Sequence, residues 1–206
     1  MFFSFDGVDG VGKTTQLGMF CEWLAISGHA VMRFRDPGST PLGEVVRNLL
    51  LEKGDTPIHR RSEMLLYMAA RAQLVEELIR PALAQGKVVV CDRYLLANVV
   101  YQGHAGGLEP DAVWRVGEIA TASTHPELTF LLDMDVDAAS ERIQRTLDRI
   151  ESRGIEFLRR VRHGYLEEAA RLPTRVVVID AAADVVTVQS KIRAAARAKF
   201  AQLSQA

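Results

Sequence analysis

The chain of 206 residues has only two cysteines, Cys21 and Cys91, and they do not form a CxxC pair. So few cysteines exclude a disulfide framework, and we expect free, buried thiols in a reducing compartment. Long apolar runs are also lacking, because none approaches the roughly 18 residues that a membrane span requires. The start, MFFSFDG, has no basic region and reaches Asp6 too soon for a signal peptide. We therefore expect a soluble, cytoplasmic protein.

The chain also has no large net charge of either sign. The 25 lysines and arginines nearly balance the 26 aspartates and glutamates, for a formal net charge of -1. This balance gives no general attraction to nucleic acid or to an anionic membrane, so we expect neither as a partner. Hydrophobic residues make up 48% and charged residues 25%, which is ordinary for a globular protein. The length predicts one domain over residues 1–206.

Short β-rich runs alternate with stretches of helical period along the chain. The predicted strands cover residues 2–5, 30–34, 87–91, 128–134 and 175–180. The predicted helices cover a stretch that ends at Gly28 and residues of about 62–84, 110–122, 137–146, 153–171 and 185–203. This alternation predicts an α/β fold with a parallel sheet covered on both faces and ligands at the carboxyl ends of its strands. Residues 36–61, with several prolines and glycines, are predicted to be the most loop-rich part of the chain.

The stretch GVDGVGKT, residues 7–14, fits the phosphate-loop pattern GxxxxGK[ST] and lies between a predicted strand and a predicted helix. The glycines let backbone N–H groups approach phosphate, Lys13 reaches the β- and γ-phosphates, and the Thr14 hydroxyl ligates Mg²⁺. The ligand is therefore a nucleoside triphosphate. The predicted ATP-binding residues are Gly7, Val8, Asp9, Gly10, Val11, Gly12, Lys13, Thr14, Thr15 and Arg142.

A GTPase needs the guanine-reading motif NKxD and a DxxG after its third strand; the chain has no NKxD, and no DxxG follows the third predicted strand, which argues against that class. The third predicted strand ends instead in CDRY, which places Asp92 and Arg93 at the carboxyl edge of the sheet. Asp92 can hold Mg²⁺ through water, and Arg93 can clamp a phosphoryl group. Because Arg35 ends the neighbouring second strand, the two arginines predict a clamp for the phosphate of an acceptor.

Several stretches together resemble the thymidylate kinase family, in the order in which that family has them. They are FDGVDGVGKTTQ, FRDPGSTPLGE, YMAARAQLVEELIRPAL, CDRYLLANVVYQG and LDRIESRGIEFLRRVRHGYLEEA. The resemblance implies a P-loop NTPase fold with a five-stranded parallel sheet, a short lid at about residues 143–152 and a homodimer. It also implies transfer of the γ-phosphoryl group of ATP, with Mg²⁺, to dTMP.

The resemblance further implies the roles of individual side chains. Asp9, an unusual residue for an anion-binding loop, would turn toward the acceptor and bind its 3′-hydroxyl. Tyr67 would stack on thymine and Arg71 would hydrogen-bond its edge, while Tyr101 would crowd the ribose 2′ position. The dTMP-binding residues implied in this way are Asp9, Arg35, Tyr67, Arg71, Arg93, Asn98, Tyr101 and Gln102.

The sequence departs from the family pattern in two places. RDPGST stands where many bacterial members have REPGGT, and Asp36 is therefore given no ligand role. The phosphate loop contains no arginine, so an arginine of the lid must supply charge to the transition state; Arg142, Arg145 and Arg149 are the candidates. Arg145, at the start of the predicted turn, is our choice. The predicted catalytic residues are Lys13, Arg93 and Arg145, and the predicted metal ligands are Thr14 and Asp92.

Two other functions remain open at this point. A different small-molecule or nucleoside kinase on the same scaffold would share the phosphate loop and the clamp. A regulatory nucleotide-binding protein would keep Lys13 but have no need of Arg35 and Arg93. A panel of monophosphates assayed with ATP and Mg²⁺ separates these alternatives.

Overall fold

The computed structural model describes residues 1–52, 57–144, 146 and 148–203. Its centre is a sheet of five parallel strands in the order β2-β3-β1-β4-β5. The strands are β1 (Phe2–Asp6), β2 (Val31–Arg35), β3 (Val88–Asp92), β4 (Leu128–Asp133) and β5 (Val176–Asp180). The predicted fold class and all five predicted strands are thus confirmed, with boundaries within one residue.

Helices cover both faces of the sheet. They are α1 (Lys13–Ile26), α2 (Pro41–Leu51), α3 (Arg60–Leu74), α4 (Arg80–Ala84), α5 (Leu95–Asn98), α6 (Pro110–Thr121), α7 (Val136–Glu141), α8 (Ile155–Arg171) and α9 (Val185–Leu203). A π-helical segment, Val75–Ile79, joins α3 to α4, and a second, Val99–His104, continues α5. Within the described ranges, no helix is both long enough and apolar enough to cross a membrane.

Two of the secondary-structure predictions are wrong in part. The segment predicted to be the most loop-rich, for which no helix was proposed, contains α2, which Thr40 caps by accepting a hydrogen bond from the Gly43 amide at 2.9 Å. The helix predicted for residues 137–146 ends at Glu141. We call residues 142–154, which join α7 to α8, the lid connection. Both cysteines are free as predicted, but Cys21 is only half-buried.

The phosphate loop lies close against the middle of the sheet because its glycines carry no side chains that would prevent this approach. A Cβ atom on Gly10, whose φ is 87°, would lie 1.9 Å from the Ala139 carbonyl oxygen. A Cβ atom on Gly7, whose φ is 135°, would lie 2.4 Å from the Leu132 carbonyl oxygen. Only glycine fits both the backbone conformation and this close approach. The loop therefore packs directly on β4 and α7.

Candidate active site

A cavity of about 630 Å³ lies above the carboxyl ends of the strands, around the phosphate loop. Its lining includes Lys13, Thr14 and Thr15 of α1 and residues 142–144 of the lid connection. The loop enters α1 through Gly12, which has a φ of 91° and stands at the helix N-terminus. Free N–H groups and the helix dipole make such a terminus attractive to anions. We call this space the phosphate cavity.

Not every predicted ATP-binding residue lines this cavity with its side chain. Asp9, Gly10, Gly12 and Arg142 line it together with the α1 residues. The side chains of Val8 and Val11 are buried in the hydrophobic core instead. Any contact of these two residues with phosphate is therefore left to their backbone N–H groups, as the motif predicts.

Lys13 is folded onto the phosphate loop and is almost fully buried. Its ammonium group donates to the carbonyl oxygens of Gly7, at 3.0 Å, and Val8, at 2.8 Å, and lies 3.4 Å from Asp9 Oδ1. Burial, followed by repulsion from Arg93, lowers the pKa of Lys13. The positive charge on which phosphate binding relies thus stands at the base of the loop.

Arg93 links the phosphate loop to the rest of the site. Its Nη2 donates to Asp9 Oδ1 at 2.8 Å, and its Nη1 donates to the Gly7 carbonyl at 2.9 Å and to the Tyr165 hydroxyl at 3.1 Å. Its φ of 65° lies in the left-handed region, which costs a non-glycine residue about 1–3 kcal/mol. These contacts hold the strained backbone in place directly after β3.

Asp9 stays charged because of Arg93 and Lys13. Burial alone raises the pKa of this carboxyl, but the two cations outweigh burial and hold the pKa well below its usual range. Asp9 lines the phosphate cavity and also the neighbouring cavity described below. The carboxylate therefore stands between the two spaces, which is the place that the resemblance implied for it.

A second carboxylate, Asp6, lies beneath the loop and was not predicted from the sequence. Tyr165 donates to its Oδ1 at 3.0 Å, and burial raises its pKa to about 7 against the opposing charge of Arg93. Tyr165 is thus bonded both to Asp6 and to Arg93. Local sequence patterns do not predict that Asp6 and Tyr165 form a hydrogen bond, because 159 positions separate them.

The two predicted clamp arginines lie on neighbouring strands, since Arg35 pairs with Asp92 across β2 and β3. Both line the phosphate cavity. The Arg35 guanidinium, however, is half exposed and donates through Nη2 to both oxygens of Glu44, each at 3.0 Å. Exposed pairs of this kind contribute only about 0–1 kcal/mol, so a phosphate can compete for Arg35.

Thr14 and Asp92 fit the metal role predicted for them. Both line the phosphate cavity; Thr14 is exposed, and the Asp92 carboxylate binds no other side chain in the part of the chain that the structure describes. No group of three or more His, Cys, Asp or Glu side chains that could hold a metal occurs among the described residues. Such a site suits Mg²⁺, which is usually held by few protein ligands together with substrate phosphates.

A smaller cavity of about 120 Å³ adjoins the phosphate cavity and is lined by seven of the eight predicted dTMP-binding residues, all except Arg35. We call it the acceptor cavity. Those seven are Asp9, Tyr67, Arg71, Arg93, Asn98, Tyr101 and Gln102. Asp9, Asp36, Arg47 and Arg93 line both cavities. A third cavity, of about 590 Å³, lies against α6 and the end of α8 and contains none of these residues.

Arg71 lies at the floor of the acceptor cavity and is 1% exposed. Its Nε donates to Asp36 Oδ2 at 2.5 Å, its Nη1 to Asn98 Oδ1 at 2.6 Å, and its Nη2 to the Tyr94 carbonyl at 3.3 Å. Nη1 also contacts the Met68 sulfur at 3.2 Å. Since a guanidinium has five N–H groups, one N–H of Nη2 has no acceptor among the described residues. That group is free to bind a base edge.

The two tyrosines of the acceptor cavity are held differently. Tyr67 is half-buried and packs beside Val46, Leu50 and Ala70. The ring of Tyr101 lies under the Arg93 guanidinium, 5.1 Å from its centroid, and burial raises the pKa of its hydroxyl well above the usual range. That buried hydroxyl has no hydrogen-bond partner within the described residues. An unpaired polar group at a cavity wall indicates contact with a ligand.

Arg47 is a site residue that the sequence reasoning missed. It lines both cavities and donates through Nη1 to the Pro37 carbonyl at 3.1 Å. It lies on α2, the helix that was not predicted. The start signal Thr40-Pro41 and the apolar spacing of Val46 and Leu50 could have identified this helix.

The lid connection brings only some of its arginines to the phosphate cavity. Arg142 follows the last residue of α7 and lines that cavity. Arg149 binds Glu63 and the Leu50 carbonyl, each at 2.7 Å, rather than lying in the phosphate cavity. Arg145, the predicted transition-state residue, lies outside the described residues.

A phosphate loop next to a second, aromatic-walled cavity with its own arginines defines a P-loop phosphotransferase that acts on a small acceptor. A family model described as thymidylate kinase matches residues 5–192. The chain belongs to the thymidylate kinase family, which confirms the resemblance and makes it a nucleoside monophosphate kinase.

Individual relatives agree with this assignment. The thymidylate kinase of Desulforudis audaxviator is 42% identical over 200 residues, covering 96% of this chain and 90% of the relative. That of Rhodopirellula baltica is 41% identical over 189 residues, covering 92% and 77%. The crystal structure of thymidylate kinase from Ehrlichia chaffeensis superposes with a TM-score of 0.75 at 31% identity, covering 93% of this chain and 95% of that one.

The buried pair of Asp36 and Arg71 generates a prediction on stability. Asp36→Ala leaves a buried guanidinium without its carboxylate, which costs about 3–5 kcal/mol of unfolding free energy. Glu76→Ala, which breaks the exposed pair of Glu76 with Arg80, is the matched control and costs about 0.5 kcal/mol or less. Urea unfolding of both variants measures the difference. A loss below about 1 kcal/mol for Asp36→Ala would contradict the role given to this pair.

Proposed function

We propose that this chain transfers the γ-phosphoryl group of ATP, bound with Mg²⁺, to the phosphate of dTMP. The acceptor follows from membership of the thymidylate kinase family. The observation that carries the rest is the position of Arg93 and Asp9, which line both the phosphate cavity and the acceptor cavity. The phosphates of the two substrates can therefore meet beside Arg93, while the Asp9 carboxylate is left to the acceptor sugar.

The protein's part in such a reaction is mainly positioning and charge. Lys13 and the N–H groups of the phosphate loop hold the triphosphate, and Thr14 with Asp92 would hold Mg²⁺. When bound, Mg²⁺ supplies positive charge to the phosphate oxygens. Arg93, with Arg35 once that side chain leaves Glu44, holds the acceptor phosphate, and Asp9 accepts a hydrogen bond from the acceptor 3′-hydroxyl.

The acceptor cavity suits a thymine base. Tyr67 offers a ring for stacking, and the remaining N–H of Arg71 can donate to a base carbonyl. Asn98 holds the Arg71 guanidinium in place by accepting a hydrogen bond from it. Asn98 is itself held by Gln102, because Asn98 Nδ2 donates to Gln102 Oε1 at 2.8 Å. Tyr101 fills the space beside Arg93, where it would disfavour a ribose 2′-hydroxyl by its bulk.

We also propose that the protein works as a cytoplasmic homodimer. Leu42, Val45 and Leu49 are exposed at helical spacing on α2, and Leu65 is exposed on α3, a helix that packs against α2. Several exposed large apolar side chains on adjoining helices are typical of an interface between subunits. Sedimentation equilibrium tests the proposal, since a dimer has twice the chain mass of 22.8 kDa.

The assay that tests the function measures ADP release with Mg²⁺ and ATP, with and without dTMP. We expect ADP release to depend on dTMP, and we expect dTMP to exceed dCMP, dGMP and dAMP as acceptor. A 3′-deoxy analogue of dTMP should be a weaker acceptor because it cannot bond to Asp9. Equal release with and without dTMP would contradict the proposed reaction, and preference for another monophosphate would contradict the proposed acceptor.

The lid connection is expected to supply the arginine that the phosphate loop lacks. A transition-state arginine contributes about 10³–10⁵ in rate in related P-loop enzymes. We expect Arg145→Ala to lower kcat at least about tenfold with little change in the KM for dTMP, because the contact is made mainly in the transition state. Steady-state kinetics of Arg142→Ala beside it is the comparison, since Arg142 lines the phosphate cavity. A normal kcat for Arg145→Ala with a reduced one for Arg142→Ala would move the role to Arg142.

A further inference from the structure

A buried carboxylate, Glu63, holds the second half of the lid connection, residues 148–153. Glu63 lies in the first turn of α3 and is 1% exposed. Its Oε2 accepts hydrogen bonds from Arg149 Nη2 at 2.7 Å and from Arg153 Nη2 at 2.5 Å. Its Oε1 accepts from Gln102 Nε2 at 3.0 Å. One carboxylate therefore joins two lid arginines to a residue of the acceptor cavity.

The second half of the lid connection forms a wall of the acceptor cavity. Asp148 and Ile150 line that cavity. The same segment is attached to the end of α2, where the Arg149 amide donates to the Leu51 carbonyl at 3.0 Å and Arg149 Nε donates to the Leu50 carbonyl at 2.7 Å. The position of this wall thus depends on where the Arg149 side chain is held.

Glu63 lines neither the acceptor cavity nor the phosphate cavity, so any effect on substrate passes through its partners. Its charge is what attracts the partners, because hydrogen bonds between a carboxylate and guanidinium groups are about twice as strong as neutral ones. The other oxygen of Glu63 accepts from Gln102, and from there a chain of hydrogen bonds runs through Asn98 to Arg71. The wall and the base-contacting floor of the cavity are therefore fixed by the same carboxylate.

We propose that Glu63 is a positioning residue for the acceptor. It fixes the wall formed by residues 148–153 and the side chain of Gln102, so that the acceptor cavity has the shape that binds dTMP. The proposal rests on the proposed function to the extent that the acceptor cavity is the dTMP site. It gives Arg149 and Arg153 a role in holding this wall.

The test is steady-state kinetics of Glu63→Gln, which keeps the size of the side chain and removes its charge. We expect the KM for dTMP to rise at least about tenfold, while kcat and the KM for ATP stay within about threefold, because contacts made by a cavity wall are present in ground state and transition state alike. Glu168→Gln is the matched control. Glu168 is also 1% exposed and accepts from Trp114 Nε1 at 3.0 Å and Arg171 Nη1 at 2.8 Å, but it lines neither substrate cavity.

A merely structural role for Glu63 predicts a different result, in which both variants lose stability and neither changes the KM for dTMP selectively. That result, or an equal change in the KM of both substrates, would overturn the proposal. If Glu63→Gln does not fold, Arg153→Gln replaces it, because Arg153 is partly exposed and its substitution disturbs the fold less. We expect Arg153→Gln to raise the KM for dTMP by a smaller factor. An unchanged KM for dTMP in this variant would overturn the proposal. Wild-type protein that fails to use dTMP would contradict the proposed function instead.

Discussion

The Arg93 guanidinium contacts the phosphate loop and lines the acceptor cavity. Its positive charge lowers the pKa of the carboxyl groups that lie around it. It donates to the Gly7 carbonyl of the loop, to the Asp9 carboxylate between the cavities, and to the Tyr165 hydroxyl of α8. Burial would otherwise favour the neutral form of Asp9, and it does raise the pKa of nearby Asp6 to about 7. Arg93 and Lys13 together thus keep Asp9 charged, and Arg93 links the end of β3 to the phosphate loop and to α8.

A separate chain of buried polar side chains runs along the acceptor cavity. Asp36 binds Arg71, Arg71 binds Asn98, and the chain continues through Gln102 to Glu63. Each of these side chains is hydrogen-bonded to a neighbour, which fixes their positions relative to one another, and only Asp36 Oδ1 of the chain has no partner within the described residues. It supports a cavity in which one donor of Arg71 and the hydroxyl of Tyr101 are left for a ligand.

Local sequence patterns were enough to predict the sheet and the phosphate loop. The strands are short runs rich in β-branched or aromatic residues that alternate with stretches of helical period, and the glycines of GVDGVGKT specify the conformation of the phosphate loop. The location of Arg35 and Arg93 at one edge of the sheet also followed from the sequence, because they end neighbouring strands and parallel strands present their carboxyl ends at one edge.

Contacts between distant segments could not be predicted in this way. The prolines and glycines around α2 are typical of loops, so the capped helix was not predicted. Arg47, which lies on this helix, was therefore not predicted as a site residue. Arg149 binds Glu63, which is 86 positions away along the chain. The pairing of Tyr165 with Asp6 is of the same kind. Nothing in the local pattern indicates such partners, because they are set by how α3 and α8 pack on the sheet.

The most direct test of this account is the affinity of Arg93→Ala for each substrate, measured by titration calorimetry beside the wild type. Loss of the charge-assisted contact with the acceptor phosphate should weaken dTMP binding by roughly 10- to 150-fold, while ATP binding changes only a few-fold. Arg93→Lys, which keeps the charge but loses the forked geometry, should fall between the two. Loss of ATP affinity with dTMP affinity unchanged would place Arg93 on the donor side and contradict the account.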